Sequence, residues 1–307
     1  MAAGAPGVAR RPLDRQRALR TARLAAAVLV FLLLALPLGL GFVGVASVLR
    51  SPCGLAADPA ARGLQVERVS FPASALGRDV HGYFFPGTNG AAVIIPPALG
   101  SSASGQLDEA ALFQRHGYSV LTYESRPCMG LPHSLGYSEV AEVGDALAWL
   151  SARPEVDPQR IAVHGFSSGG ATAIMAAARF PQLAAVIAMG GYANFDEYLD
   201  EQIAGLWYGP LFRLGADAAY WLTIGQPMAL LNPLAAVSQI APRPLLLIYG
   251  SAEPSLAGGR QQLAAAGGAA QWWEVPGATH GSYIYTAPAD FEARTIAFLD
   301  AALGGSR

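Results

Sequence analysis

The chain has 307 residues, 52% of them hydrophobic and only 14% charged, with a mean hydropathy of +0.32. Folded domains carry about 25% charged residues and disordered chains far fewer apolar ones, so disorder is excluded for most of the length. The net charge of −2 divides unevenly: residues 1–50 hold seven Arg against Asp14, residues 51–307 thirteen Arg against twenty-one acids, and there is no Lys.

Arg10, Arg11, Arg15, Arg17, Arg20 and Arg23 precede an uncharged run from Leu24 to Leu49, and Arg50 closes it. A helix needs about 20 apolar residues to cross the hydrocarbon core, and this run exceeds that. Pro37, Gly39, Gly41 and Gly44 weaken a soluble helix but are commoner in membrane spans. A cleaved signal peptide has an apolar region of about 7–15 residues and an Ala-x-Ala-like end. The run is longer, Val45-Ala46-Ser47 is a poor cleavage site, and Pro52 stands before Cys53 where a lipoprotein signal wants a small residue. The reading is therefore an uncleaved signal anchor: a basic cytoplasmic segment over 1–23, a transmembrane segment over 24–49 that partners membrane lipid, and a linker over 50–64. The excess of Arg before the span keeps the amino terminus cytoplasmic and the rest outside. Cys53 and Cys128 would then sit where disulfides persist. A bridge between them would tie the linker to the loop after the fourth predicted strand; two free thiols are the alternative.

From residue 65 to 307, short apolar runs alternate with helical patterns, which predicts an α/β domain with a mostly parallel, doubly wound sheet. Gln65–Phe71 and Val80–Phe85 read as an antiparallel hairpin, Ala92–Ile95 as a buried strand, 106–115 as a helix and Ser119–Tyr123 as the next strand. Glu139–Ala152 is an amphipathic helix stopped by Pro154. Ile161–His164 is a strand, Ser168–Ala178 a helix and Ala185–Met189 a strand. Residues 192–240 break the alternation; they hold Tyr192, Phe195, Tyr198, Trp207, Tyr208, Phe212, Tyr220 and Trp221 and read as a small helical cap, although core packing is expected to account for at least half of those aromatics. Leu245–Tyr249, Leu256–Ala266, Gln271–Val275 and Phe291–Leu303 complete the pattern as strand, helix, strand and helix.

Gly165-Phe-Ser167-Ser-Gly169 lies where a predicted strand turns into a predicted helix. Glycines on either side of a serine suit a strand-to-helix turn too tight for a neighbouring Cβ, and such a turn holds the hydroxyl at a helix N-terminus that favours negative charge. A serine needs a base, and the base needs an acid to orient it; on this topology the chain order is Ser, acid, His. His280, in the loop after the last predicted strand, is the candidate base. His81 and His164 fall within strands, His116 ends a helix, and His133 precedes Ser167. Glu253 is the sole carboxylate of the loop after Leu245–Tyr249 and is the candidate acid, with Asp196 in reserve.

The stretch Val143-Gly-Asp-Ala-Leu-Ala-Trp-Leu150 through Val156-Asp-Pro-Gln-Arg-Ile-Ala-Val-His-Gly-Phe-Ser-Ser-Gly-Gly170 resembles the helix, loop, strand and elbow block of α/β-hydrolase fold serine hydrolases of the dienelactone-hydrolase-like or prolyl-oligopeptidase-like kind. Arg243-Pro-Leu-Leu-Leu-Ile-Tyr-Gly-Ser-Ala-Glu253 is similar to that family's strand-and-acid segment, and Gly277-Ala-Thr-His280 to its histidine loop. The sequence departs from the family in having Glu253 for the usual Asp, Pro97-Ala98 where His-Gly is frequent, and Glu124-Ser-Arg-Pro127 for Asp-x-Arg-Gly. The resemblance implies an oxyanion site made by the backbone N–H groups of Leu99 and Ser168. Together these features predict a serine hydrolase that cleaves carboxylic esters through an acyl-enzyme on Ser167. A peptide or amide hydrolase with the same three residues, and a catalytically silent membrane-tethered binding module of the same fold, are the alternatives. Small-molecule ester or peptide is the expected partner. The acidic domain argues against nucleic acid. No cofactor is called for, and two Cys and five scattered His suggest no metal site.

Overall fold

The computed structural model describes residues 12–304; residues 1–11, with Arg10 and Arg11 of the basic segment, and 305–307 lie outside the described residues. The elements in chain order are α1 (Pro12–Leu49), a 3-10 turn (Pro59–Arg62), β1 (Glu67–Ala73), β2 (Arg78–Phe85), β3 (Ala92–Ile95), α2 (Leu107–Arg115), β4 (Ser119–Tyr123), α3 (Glu139–Ser151), β5 (Ile161–Phe166), α4 (Ser168–Arg179), β6 (Ala185–Met189), α5 (Phe195–Gln202), α6 (Gly209–Ile224), α7 (Pro233–Val237), β7 (Leu245–Gly250), α8 (Leu256–Ala266), β8 (Ala270–Val275), α9 (Tyr283–Thr286) and α10 (Pro288–Leu303). The eight strands form one sheet in the order β1-β2-β4-β3-β5-β6-β7-β8. β1 pairs antiparallel with β2 and β2 with β4, and every later pairing is parallel.

The continuous apolar runs explain the layering. β3, β4, β6 and β7 are buried at every position, as strands covered on both faces must be. On one face Val143, Leu147 and Leu150 of α3 pack with Ile174 and Ala177 of α4 and with Ala266 of α8. On the other, Phe113 of α2 packs with Phe291, Phe298 and Leu299 of α10. A third cluster lies outside the sheet and joins Val45 and Leu49 of α1 to Ala216, Ala219 and Tyr220 of α6 and to Tyr192 and Met228. The predicted mostly parallel, doubly wound α/β sheet and helical cap are both present, with α5, α6 and α7 inserted between β6 and β7.

Two differences from the sequence reading have physical reasons. The helix begins at Pro12 rather than at Leu24, because the change from Arg-rich to uncharged sequence marks a change of solvent and not of backbone. Its two halves also differ: residues 16–34 are exposed throughout, whereas Pro37, Gly41, Val45 and Leu49 are buried. A spacing of four residues is one helix face, and that face lies against the cap. The segment 24–49 is thus not a free span along its whole length. The linker is also less loose than its composition suggests. Gly54 N–H donates to the Gly100 carbonyl at 2.6 Å, Ala57 N–H to Ser104 Oγ at 2.7 Å, and Ser102 Oγ to the Leu55 carbonyl at 3.1 Å. An irregular strand must satisfy its backbone groups somewhere, and this one does so on the loop after β3. Cys53 and Cys128 are joined in a disulfide with a Cα–Cα distance of 4.6 Å.

Candidate active site

Ser167 sits between β5 and α4 at φ 56°, ψ −124°, a left-handed backbone that a non-glycine residue adopts only when its surroundings impose it. The flanking glycines provide those surroundings. A Cβ on Gly165 would lie 2.1 Å from the Gly169 carbonyl oxygen, and one on Gly169 would lie 2.8 Å from the Pro96 carbonyl oxygen. The absent side chains let the turn close and bring the elbow against the loop after β3. Ser167 N–H donates to the Met189 carbonyl of β6 at 2.8 Å, which fixes the serine over the carboxyl end of the sheet.

The loops after β7 and β8 meet it there. His280 Nε2 is 3.0 Å from Ser167 Oγ, and His280 Nδ1 is 3.2 Å from Glu253 Oε2. Glu253 is fully buried at its side chain while His280 is 42% exposed, so the acid is held inside and the imidazole faces the opening. Gly250 N–H donates to Glu253 Oε1 at 3.1 Å, and the Tyr283 hydroxyl donates to Oε2. Burial and the adjacent Glu253 charge push the Tyr283 phenol well above its ordinary range, which keeps it protonated as a donor. Phe166 packs against the imidazole, with ring centroids 4.8 Å apart. Asp196, the reserve acid, is elsewhere: it lies on α5 and pairs with Arg213 of α6 at 2.6 Å.

Above the serine is a cavity of about 580 Å³ bordered by Leu99, Ser168, Leu135, Tyr192, Phe195 and Phe212, among others. Leu99 and Ser168, the two residues expected to present their amides, both border this cavity beside Ser167. Ser168 is the first residue of α4, where unpaired N–H groups and the helix dipole favour an anion. The cap aromatics divide three ways: Tyr192 and Tyr220 are buried, Phe195, Tyr198 and Phe212 border the cavity, and Trp207 and Trp221 are exposed, so full burial accounts for fewer of them than expected. Among the described residues no cluster of three His, Cys, Asp or Glu side chains is placed to hold a metal ion.

Sequence reasoning missed three contributors. Tyr283 follows His280 by three residues and carries no motif that would mark it. Leu135 borders the cavity at φ 60°, from a loop pinned by buried groups: Ser134 and Gly136 N–H donate to Glu139, and Tyr192 and Tyr220 hydroxyls donate to the Leu135 and Ser134 carbonyls. The third is the amino-terminal helix, which supplies Gly44, Val45 and Val48 to the cavity wall.

An eight-stranded, mostly parallel sheet with this elbow and these loops is an α/β-hydrolase fold. The sequence pattern of the X-Pro dipeptidyl-peptidase (S15) family matches residues 52–225, more than half of the chain, and the chain belongs to that family. It is 30% identical over 138 residues to polyketide transferase af380 of Aspergillus fumigatus, covering 42% of this chain and 47% of that protein. It is 36% identical over 106 residues to thiohydrolase apmlB of Arthrinium phaeospermum, covering 33% and 34%. The matched stretches thus span half or less of these relatives. The esterase Pf2001 of Pyrococcus furiosus superposes with a TM-score of 0.66 at 19% identity, over 82% of this chain and 97% of that one, which shows the shared fold.

Proposed function

We propose that this protein is a membrane-anchored serine hydrolase that cleaves carboxylic esters through an acyl-enzyme on Ser167, with His280 as base and Glu253 as its orienting acid. The observation that carries the reading is the continuous line from Ser167 Oγ to His280 to buried Glu253, at 3.0 and 3.2 Å, on the floor of an apolar cavity. His280 Nε2 takes the serine proton as Oγ attacks the carbonyl carbon. Glu253 accepts from Nδ1–H, selects that tautomer and stabilises the imidazolium. The oxyanion forms beside the amides of Leu99 and Ser168. The imidazolium then protonates the leaving alkoxide, and water activated by His280 releases the acid. The names borne by the relatives, a polyketide transferase and a thiohydrolase, are compatible with acyl-transfer chemistry of this kind.

The family match supports a second reading, dipeptide release from a peptide with a free amino end. Such a substrate places an ammonium close to the scissile bond, and among the residues bordering the cavity none is a carboxylate that would receive it. This favours the ester. Turnover of p-nitrophenyl butyrate, set beside that of an X-Pro-p-nitroanilide, separates the two. The ester reading expects hydrolysis of the butyrate that is lost in Ser167→Ala; cleavage of the anilide alone would replace it with the peptidase. Anchoring rests on Gln16–Leu49, a helix long and apolar enough to cross a bilayer. The outward orientation rests on the Arg excess before the span and on the disulfide, which belongs in an oxidising compartment. Protease added to intact spheroplasts then reaches the hydrolase domain; protection until lysis reverses the orientation.

A further inference from the structure

The uncharged run starts at Leu24, and at a rise of about 1.5 Å per residue a hydrocarbon core of about 30 Å reaches to roughly residue 44. The cap meets α1 before that point. A Cβ on Gly41 would lie 1.9 Å from the Phe212 carbonyl oxygen, and one on Gly215 would lie 2.0 Å from the Leu38 carbonyl oxygen. The two backbones touch at a glycine of each helix, the kind of close approach by which membrane helices associate. Leu38 and Gly41 are fourteen and seventeen residues beyond Leu24, or about 21 and 26 Å at helical rise, still within the depth of the hydrocarbon. A span set by the arginines therefore immerses part of α6 as well. The exposed side chains of the cap agree: Leu214 and Trp221, seven residues apart on one side of α6, are 57% and 58% exposed, and Trp207 and Leu222 are 69% and 66% exposed. In water these would be costly; at a bilayer surface they are not, and tryptophan favours that interface.

The next turn of α1 borders the cavity with Gly44, Val45 and Val48. These residues are about 30–36 Å from Leu24 at helical rise, the level at which hydrocarbon gives way to polar head groups and at which the ester bonds of acyl lipids lie. Ser167 and His280 border the same cavity.

We infer that the substrate is a bilayer-resident acyl ester whose chain enters the cavity from the lipid, and that Gly44, Val45 and Val48 of the membrane helix form part of its chain-binding wall. This rests on the hydrolase reading above and specifies its substrate class. Transfer from lipid to an apolar cavity leaves the chain's surroundings apolar, whereas a route through water exposes every methylene of the chain to solvent. The anchor is then a part of the acyl site as well as a tether.

The test uses the full chain in phosphatidylcholine vesicles with 4-methylumbelliferyl esters of acetate, butyrate and palmitate. Val48→Trp places a large side chain in the wall, and Gly44→Leu does the same one turn earlier, so a folding failure in one leaves the other. Each is expected to lower kcat/KM for the palmitate ester at least tenfold while the acetate stays within about twofold. Val43→Trp is the control, because Val43 is 62% exposed and does not border the cavity; it is expected to leave all three rates unchanged. Equal losses on acetate and palmitate in the wall variants, or no loss on palmitate, overturn the inference while the hydrolase reading stands. No hydrolysis of any ester by the wild-type protein removes both.

Discussion

The floor and the wall of the cavity are built by different means. The floor is made of three short loops at the carboxyl edge of the sheet, each following a strand of that sheet, and its groups are held by hydrogen bonds of 3.0–3.2 Å. The wall brings together α1, the cap helices and the loop around Leu135, segments far apart in the chain that are held by packing, a disulfide and buried carboxylates. Chemistry that depends on an atom's position within half an ångström belongs on the first kind of support. Selection of a substrate by shape tolerates the second. Changes in the floor should therefore abolish turnover of every ester, and changes in the wall should alter which ester is turned over or how stable the assembly is.

The largest effects are expected at the floor. Ser167→Ala and His280→Ala should each lower kcat on the order of 10⁴–10⁶-fold, on butyrate and palmitate alike. Glu253→Gln keeps the shape but favours the wrong tautomer, and should cost on the order of 10²–10⁴-fold. If Asp196→Asn were as damaging, the acid would have to be sought on α5. It is instead expected to leave turnover near normal, since Asp196 is committed to Arg213.

Support of the wall comes next. The disulfide closes a separation of 75 residues, for which loop-closure entropy gives about 4 kcal/mol. Cys53→Ser with Cys128→Ser should lower the Tm of the solubilised protein by several degrees, and a reducing agent should do the same to the wild type. The double variant should keep the Ser167 and His280 chemistry once folded, because neither cysteine touches those residues.

The smallest expected effect concerns pH. His164 is fully buried in β5 beside Phe113, at 5.1 Å between ring centroids, and burial pushes its pKa from 6.5 down to about 3. A histidine held neutral in the fold binds its proton more readily when unfolded. Its contribution to stability is therefore complete above pH 6.5 and declines as pH falls toward 3, by about 1.4 kcal/mol per unit. Buried Glu142 acts in the opposite direction: burial and the neighbouring Glu139 raise it to about 7, so acidification below 7 favours the fold there. The difference between wild type and His164→Leu isolates the histidine. The slope of Tm against pH between 6 and 4 should be less positive in the variant, and an unchanged slope would rule out a contribution from His164.

The contrast between floor and wall also explains what the sequence disclosed. Ser167, Glu253 and His280 were legible because each stands in a loop that follows a strand readable from the local pattern, and because the elbow needs glycine on both sides for local steric reasons. β3, β4, β6 and α8 fall at their expected bounds for the same reason: their patterns depend on neighbours in the chain. The docking of α1 on the cap did not show itself. Pro37, Gly41, Val45 and Leu49 face inward at intervals of four, but in a segment apolar all round no polar face reveals which side is covered. Gly41 meets Phe212 and Gly215 meets Leu38 across 171 and 177 positions, and only the assembled fold shows that the small residues of the span serve packing. Tyr283 was hidden for a similar reason, since nothing local marks a tyrosine whose partner is a buried carboxylate thirty residues earlier.

The central claim is that Ser167 is an activated nucleophile, and its most direct test is covalent. A fluorophosphonate probe should label the wild-type protein at Ser167 alone, with the adduct located by mass spectrometry on the peptide containing Gly165-Phe-Ser-Ser-Gly169. His280→Ala should abolish labelling, and Glu253→Gln should slow it. A folded wild-type protein that takes up no probe, or one that is labelled equally well in Ser167→Ala, would contradict the account.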